Sequence, residues 1–266
     1  MSFSADWLAL RQVADDRARS ADLTRTLALE LAKRPGPLRI LDLGAGTGAN
    51  MRALAPQLAG PQHWVLADND PALLGKVSSP AGPTGTPLPS VEVEQRIVDL
   101  ASDLSSLFDP APDLVTASAF FDLCGRAIAD EVVSRTAAAG AVFHTVLTYD
   151  GHETWTPGHQ HDADVLSAFH EDQQRDKGLG PALGPDATAH LSNAFQAAGY
   201  AVRTASSDWD LQAPGDAGMI VAMAEGHAAV ARSAIGAAAD DWQAAQSRTQ
   251  RWVVGHQDLL ALPPAR

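Results

Sequence analysis

The sequence predicts an α/β protein with a mainly parallel β-sheet that is covered by helices on both faces. Short apolar runs alternate with stretches of helical periodicity, which is typical of successive β-α-β units. A glycine-rich loop directly follows the first apolar run. The chain has 266 residues, of which 45% are hydrophobic, and this is enough for one large buried core.

The first 37 residues are predicted to form a helical cover. Leu23, Leu27 and Leu31 recur every four residues, and the Pro-Gly-Pro sequence at 35–37 ends this helix. Ser20 can cap its start through the side-chain hydroxyl. Further upstream, helical spacing brings together Arg11 and Asp15, and this spacing favours a surface ion pair.

Five apolar runs bounded by turn residues predict the strands of the first half. They cover residues 38–43, 63–68, 91–100, 113–120 and 141–149. Stretches at 49–58 and 122–139 have helical periodicity and separate several of them. Residues 77–90 predict an exposed loop, because Pro, Gly, Ser and Thr dominate there.

The second half is predicted to add a lid and to complete the sheet. Residues 150–186 are polar and rich in His and Asp, and so long a segment after the fifth strand is typical of an insertion that covers a substrate. A helix at 187–198 follows. Two further strands, at 201–211 and 218–225, are predicted to form an antiparallel hairpin, and a terminal helix is predicted to carry Trp242 and Trp252.

We therefore expect one domain that spans residues 1–266. Its four parts are a helical cover (1–37), a cofactor-binding half (38–149), a substrate lid (150–186) and a C-terminal part of helix, hairpin and terminal helix (187–266).

Charge and composition exclude several classes of partner. The chain has 19 Lys and Arg against 32 Asp and Glu, a net charge of −13 without a basic run, so nucleic acid is not an expected partner. No apolar stretch is long enough for a membrane helix, and the N-terminus carries acids where a signal peptide would be apolar. A single cysteine, Cys124, excludes an internal disulfide. We expect a cytoplasmic monomer or homodimer.

The most informative segment is Ile-Leu-Asp-Leu-Gly-Ala-Gly-Thr-Gly-Ala-Asn at residues 40–50. Glycines at the carboxyl end of a strand let a ligand approach the backbone closely. The segment satisfies the dinucleotide fingerprint, with Asp68 about 20 residues further on. However, Asp42 stands two residues before Gly44, where a carboxylate favours a cation and repels a pyrophosphate. S-adenosylmethionine carries an ammonium and a sulfonium and no phosphate, so the loop matches it better than NAD.

The ends of the next three strands carry groups that suit the rest of this ligand. The second strand ends at Asp68 and Asn69, where a carboxylate can accept both ribose hydroxyls. The third ends at Asp99 and Leu100, where adenine can be bound, and the fourth ends at Ser118, beside the reactive end of the cofactor. Each acid alone is more typical of a turn or a helix cap, so only their combination indicates a site.

On these motifs the chain resembles the class I S-adenosylmethionine-dependent methyltransferases, closely over residues 38–149 and loosely elsewhere. The resemblance implies a Rossmann-like fold, with a seven-stranded sheet whose last hairpin is antiparallel. It also implies binding of the methionine end by Asp42 and the loop residues Gly44, Ala45, Gly46 and Gly48, of the ribose by Asp68, and of adenine by Asp99 and Leu100. The product of such a reaction is S-adenosyl-L-homocysteine.

The departures from this family's subclasses indicate the acceptor. Residues 117–121, Ala-Ser-Ala-Phe-Phe, lack the Asn/Asp-Pro-Pro-aromatic motif of methylases that act on nucleic-acid amino groups, and Cys124 lacks the Pro-Cys context of cytosine methylases. Together with the acidic charge, this favours methyl transfer to oxygen or nitrogen of a small molecule.

The candidates for proton transfer are Asp122, Tyr149 and Asp150, although a sulfonium needs no general base unless the acceptor is protonated. Asp122 can equally cap the 122–139 helix, and Tyr149 and Asp150 can equally be turn residues. In the lid, the candidates for substrate binding are His170, Arg175 and Lys177. The two cations can equally pair with neighbouring aspartates.

No metal site is predicted, because the lid histidines have neither helical H-x-x-x-H spacing nor a cysteine pair. Two other functions stay open. One is an NAD(P)-linked oxidoreductase that uses the same glycine loop, and the other is a non-catalytic scaffold that keeps the cofactor pocket. A scaffold is favoured if side chains of the 150–186 segment fill the acceptor space.

Overall fold

The computed structural model describes residues 4–81, 88 and 90–264. The helices are α1 (Ala5–Ala18), α2 (Ala21–Leu31), α3 (Ala49–Leu54), α4 (Pro71–Leu74), α5 (Leu100–Asp103), α6 (Arg126–Ala139), α7 (Asp162–Gln173), α8 (Ala187–Ala197), α9 (Ala217–Ile235) and α10 (Ala238–Gln246). The strands are β1 (Leu38–Leu43), β2 (Gln62–Asp68), β3 (Val91–Ile97), β4 (Leu114–Ser118), β5 (Val142–Thr156), β6 (Ala201–Ser206), β7 (Trp209–Gln212) and β8 (Arg251–Leu262). Most of the predicted 77–90 loop, residues 82–87 and 89, lies outside the described part.

One sheet organises the fold, in the order β3-β2-β1-β4-β5-β8-β6, and β7 pairs with β8 beyond the end of β6. The first five strands are parallel, whereas β6, β7 and β8 pair antiparallel. The predicted α/β class and the parallel-to-antiparallel change are therefore confirmed. The predicted seven strands correspond to the main path, and β7 is an additional short strand among the described residues.

Both faces of the central strands β1, β2 and β4 are buried, which is why these strands are mainly apolar, whereas the outer strands β3 and β6 are largely exposed. On β1, Ile40 packs on one face with α2 and α3, while Leu41 and Leu43 pack on the other face with α6 and α8. The predicted helix cap at Ser20 is confirmed, because the Ser20 hydroxyl accepts a hydrogen bond from the backbone N–H of Leu23 at the start of α2.

The predicted strand at 218–225 is wrong, because these residues belong to α9. Its buried side chains recur in pairs separated by a helical turn, at Met219 and Ile220, Met223 and Ala224, and again at 227–228. This is the periodicity of a helix with one buried face, and it extends beyond the short apolar run on which the strand prediction depended.

The predicted terminal helix is also wrong, and with it the hairpin. Trp242 lies on α10, but Trp252 lies on β8. Both side chains are fully buried. β8 is therefore the antiparallel partner of β6, and the two helices α9 and α10 separate these strands in the chain. Tertiary pairing on both edges of β8 decides its structure against the weak local signal.

The predicted lid begins later than residue 150. β5 continues to Thr156, with a register shift at Gly151, which has a left-handed φ of +89°. α7 and a loop then complete the segment up to residue 186.

A buried carboxylate, Asp258, joins three elements of the fold. It lies on β8 and is fully buried, and it accepts hydrogen bonds from the backbone N–H groups of Leu147 and Ser20, at 2.9 and 2.8 Å. Leu147 lies at a bulge in β5 with a φ of +58°, and Ser20 begins α2. Asp258 therefore fixes an irregular strand and the start of a helix from one position.

We expect Asp258→Ala to lower the free energy of unfolding by about 2–5 kcal/mol, because two buried N–H groups lose their acceptor. Urea denaturation of the variant measures this. The control is Asp22→Ala, which removes an exposed carboxylate paired with Arg25 and should change stability little. Equal stability of the two variants would contradict the role of Asp258.

Candidate functional site

A cavity of about 200 Å³ lies at the carboxyl ends of β1, β2 and β4, the edge where open α/β sheets bind ligands. Its lining comes from segments far apart in the chain: Leu8, Arg11, Asp15, Gly44, Ala45, Gly46, Thr47, Ala49, Asn50, Asp68, Asn69, Asp70, Leu73, Val98, Leu100, Ser118, Ala119, Phe120, Leu123, Lys177, Gly178 and Leu179. Seven of the ten predicted cofactor residues are among them.

The glycine loop needs its glycines for different reasons. Gly44 has a φ of +62°, and a Cβ placed there would lie 2.4 Å from the Phe120 ring. The ring can approach the loop only because position 44 has no side chain. Gly48 has a φ of +76° and precedes the first turn of α3, but it does not line the cavity.

Asp42 is fully buried beneath the loop and does not line the cavity. One of its oxygens, Oδ1, accepts a hydrogen bond from the Asn50 side-chain amide at 2.8 Å, while Oδ2 has no partner among the described residues. Burial raises the pKa of Asp42 to about 7, although the hydrogen bond from Asn50 and the charge of Arg19 oppose the shift. The side chain that faces the cavity at this point is Asn50.

Asp68 lines the cavity where β2 ends. Its carboxylate accepts hydrogen bonds from the backbone N–H groups of Gly46 and Asp70, at 2.8 and 2.9 Å. Asp68 therefore links the glycine loop to the end of β2. A carboxylate has about four acceptor positions, so it keeps capacity for a ligand hydroxyl. Asn69 lines the cavity next to it.

The two predicted residues that follow the third strand have different roles. Asp99 is exposed and caps α5 through the N–H of Ala101, so the helix-cap interpretation describes what it does here. Leu100 is buried and lines the cavity together with Val98. At the fourth strand end, Ser118 lines the cavity and accepts a 3.3 Å hydrogen bond from Arg19.

Helix α1 lies across the cavity and contributes residues that were not predicted as site residues. Leu8 approaches the loop so closely that a Cβ on Gly46 would lie 3.3 Å from its Cδ1. The Arg11–Asp15 ion pair is buried rather than a surface pair, with 11% and 7% of the side chains exposed, and both residues line the cavity. Its burial depends partly on Trp209, which is remote in sequence.

Of the three proton-transfer candidates, none lines the cavity. Asp122 is buried, with one oxygen unpartnered among the described residues, and desolvation raises its pKa to about 6 against the nearby charges of Arg11 and Lys177. It does not cap the following helix, because α6 begins only at Arg126 after Gly125. Asp122 instead lies in a short 3-10 turn.

Tyr149 and Asp150 serve the structure around β5. The Tyr149 hydroxyl lies 3.0 Å from both Glu153 Oε1 and His170 Nε2, in a buried network. Burial, reinforced by the Glu153 carboxylate, raises the pKa of Tyr149 well above its usual value. The Asp150 carboxylate accepts the backbone N–H of His152 on the β5 bulge.

The three predicted substrate-binding residues separate in space. Lys177 lines the cavity with 14% of its side chain exposed, and its Nζ lies 3.5 Å from Asp172. Arg175 is exposed and pairs with the same carboxylate at 3.3 Å. His170 faces Tyr149 instead, and its pKa is lowered, mainly by burial.

Two further residues with shifted pKa values lie in the core. Cys124 is fully buried just before α6, as a small apolar residue would be, and burial raises the pKa of its thiol. His144 is buried in β5 with a pKa lowered to about 3, chiefly by desolvation. Within the described chain neither ring nitrogen of His144 has a hydrogen-bond partner.

The described residues contain neither a metal-binding cluster nor a helix that could cross a membrane. No group of His, Cys, Asp and Glu side chains there is arranged to hold a metal ion. In the same part of the chain, every helix is too short or too polar to cross a membrane.

Comparisons with known proteins place the fold. No protein-family model matches the chain, and no curated protein matches it in sequence. Solved structures do match. A cyclopropane-fatty-acyl-phospholipid synthase-like protein from Lactobacillus casei is 14% identical, with 98% of this chain and 95% of that chain covered and a TM-score of 0.55. The cyclopropane synthase MmaA2 from Mycobacterium tuberculosis is also 14% identical, with 97% and 94% covered and a TM-score of 0.52.

A third structure is an S-adenosylmethionine-dependent methyltransferase from Thiobacillus denitrificans in complex with S-adenosyl-L-homocysteine. It is 15% identical, with 98% of this chain and 99% of that chain covered and a TM-score of 0.45. The two synthases, whose TM-scores exceed 0.5, show the similarity of fold. The chain has the Rossmann-like fold of the class I methyltransferases, as its resemblance implied.

We expect Gly44→Ala to destabilise the protein by about 2 kcal/mol more than Gly60→Ala, because an added methyl group must displace Phe120. Gly60 is a matched control, since its φ is +81° and a Cβ there would meet nothing within 4 Å. Both variants bear the cost of a left-handed backbone, about 1–2 kcal/mol. Denaturant midpoints measure the difference, and equal midpoints would mean that Phe120 yields freely.

The raised pKa of Asp42 predicts a pH-dependent stability. Between its ordinary value of 3.8 and about 7, the unfolded chain loses this proton while the folded chain keeps it, so the stability gained from protonation falls as pH rises through that window. The free energy of unfolding should fall from about pH 5 to about pH 7.5 by roughly 2 kcal/mol more in the wild type than in Asp42→Asn. Urea denaturation at both pH values measures this, and parallel profiles would exclude Asp42 as the source.

Proposed function

We propose that the protein is an S-adenosylmethionine-dependent methyltransferase that acts on oxygen or nitrogen of a small molecule. The observation that carries the proposal is the meeting of the glycine loop with Asp68 and Leu100 around one cavity. These residues come from three successive strand ends. They supply a closely approachable backbone, a ribose acceptor and an apolar wall for adenine, which match the parts of this cofactor.

In this arrangement, Gly44, Ala45 and Gly46 bind the methionine end and Asp68 with Asn69 binds the ribose. Leu100 packs against adenine, and Ser118 lies beside the reactive end. Asp42 acts through Asn50 rather than by direct contact, because it lies beneath the cavity floor. Gly48 and Asp99 support the loop and the α5 start rather than the ligand.

The same features disfavour an NAD(P)-linked oxidoreductase. Asp15, Asp68 and Asp70 line the cavity, and three carboxylates repel a pyrophosphate. The antiparallel β8 also departs from the six-stranded parallel order of dinucleotide-binding domains. A scaffold whose acceptor space is filled is disfavoured as well, because the 150–186 segment contributes only Lys177, Gly178 and Leu179 to a cavity that stays open.

When bound, the cofactor would supply a methyl group on a positively charged sulfur, an electrophilic carbon that an acceptor lone pair could attack in line with the neutral thioether as leaving group. The chain's task is to orient the acceptor and exclude water. Lys177 is positioned to bind an anionic group of the acceptor. Of the three candidates Asp122, Tyr149 and Asp150, Asp122 is best suited to take up an acceptor proton. Phe120 and Leu123, close to it in the chain, line the cavity, and its pKa is about 6.

Calorimetric titration with S-adenosyl-L-homocysteine, with NADH in parallel, tests the cofactor. We expect binding of the first and no heat from the second. Binding of NADH alone would overturn the proposal and restore the oxidoreductase. Methyl transfer is then sought by product mass in mixtures of small acids, phenols and amines, with an unsaturated fatty acid as the arm for carbon methylation.

Asp68→Ala should weaken the binding of S-adenosyl-L-homocysteine by about 1–3 kcal/mol, because charge-assisted hydrogen bonds to the ribose are lost. The same titration measures it, with Asp22→Ala as a control for overall charge. Circular dichroism checks that both variants fold. Unchanged affinity in folded Asp68→Ala would remove the ribose assignment.

A further inference from the structure

The cavity has an unexplained guanidinium. Arg11, on α1, has 11% of its side chain exposed and lines the cavity. Among the described residues, only its Nε makes a hydrogen bond, to Asp15 Oδ2 at 2.8 Å. Arginine has five N–H groups, and the four on its two terminal nitrogens have no hydrogen-bond partner among the described residues.

The orientation of this guanidinium is fixed from behind. The second oxygen of Asp15 accepts a 3.0 Å hydrogen bond from the Trp209 indole N–H, so this carboxylate is held by β7 as well as by α1. The Arg11 Cζ lies 5.3 Å from the centre of the Trp209 ring, which is a cation–π distance. Asp15 and Trp209 therefore hold Arg11 so that its terminal fork stays available.

The charges around the cavity indicate which ligand group the terminal N–H groups of Arg11 bind. The other charged residues of the lining are the acids Asp15, Asp68 and Asp70 and the single lysine Lys177, which lies near Asp172 on a different segment. A carboxylate that enters beside these acids is repelled unless a cation holds it. A guanidinium fork binds a carboxylate through two parallel hydrogen bonds.

We infer that Arg11 is the carboxylate-binding residue of this site and takes the α-carboxylate of the cofactor's methionine end, with Asp15 and Trp209 as positioning residues. This rests on the proposed function. It is favoured by the course of α1, because Leu8, one helical turn before Arg11, packs against Gly46 of the loop. An acceptor carboxylate has the same chemistry, and the test separates the two sources.

The test compares S-adenosyl-L-homocysteine with its decarboxylated analogue, S-adenosyl-3-thiopropylamine, by calorimetric titration. Arg11→Gln should lose roughly 10- to 100-fold in affinity for the first and little for the second. Arg11→Lys should recover only part of the loss, because an ammonium lacks the fork. Arg17→Gln is the control, since Arg17 lies on the same helix and pairs with Asp216 outside the cavity.

Trp209→Phe tests the positioning role, because it keeps an aromatic ring and removes the N–H. It should lower affinity for the carboxylated ligand several-fold relative to the analogue, whereas a purely structural role lowers both equally. Equal affinity of wild type and Arg11→Gln for S-adenosyl-L-homocysteine would overturn the inference and leave the proposed function standing. If the wild type binds neither ligand, both fail.

Discussion

The position of the glycine loop depends on one buried side chain, that of Asn50. Its amide donates hydrogen bonds to Asp42 on β1 and to Thr116 on β4, at 2.8 and 3.1 Å, and its oxygen accepts one from Arg19 at 2.8 Å. Asn50 is 3% exposed, and its hydrogen bonds to Asp42 and Thr116 are buried. One residue in the first turn of α3 therefore joins two neighbouring strands to the helical cover, and the loop between β1 and α3 has little freedom to move.

Burial determines how charge is distributed around this frame. Beneath the loop the Asp42 carboxylate is buried away from water, and this burial raises its pKa. Above the loop, the cations are each held near a carboxylate, Arg11 by Asp15 and Lys177 by Asp172. Such pairing fixes side-chain direction without creating a strong net field, so a zwitterionic ligand meets separate positive and negative positions instead of one attractive surface.

The first half of the fold and the meeting of most predicted cofactor residues at one cavity were predictable from local patterns, because parallel strands bring their carboxyl ends together and a glycine-rich loop follows the first of them. The failures have identifiable physical causes. The run from Met219 to Glu225 is apolar on too many sides for its period to be visible, and α9 is recognised only over five turns. In the second half, the position of strand β8 depends on its pairing with β5, which no local sequence pattern indicates.

The burial of individual charged side chains was equally unpredictable from the sequence. Arg11 and Asp15 have the spacing of an ordinary surface pair, and what changes their role is the indole of Trp209, which lies 194 residues from Asp15 in the chain. Asp122 likewise looked like a helix cap, because the 3-10 turn that delays α6 has no marker other than Gly125. Contacts between distant segments, rather than local composition, determine the burial of these residues.

The antiparallel strand β8 has a consequence for the newly synthesised chain. It is the last described strand, yet it lies inside the sheet, between β5 and β6. After the ribosome has released β5, which ends at Thr156, about 95 residues must follow before β8 begins at Arg251. At common synthesis rates this takes roughly 5 to 20 seconds. During that time β5 lacks its antiparallel partner, and an unpaired, apolar strand edge favours aggregation and chaperone binding.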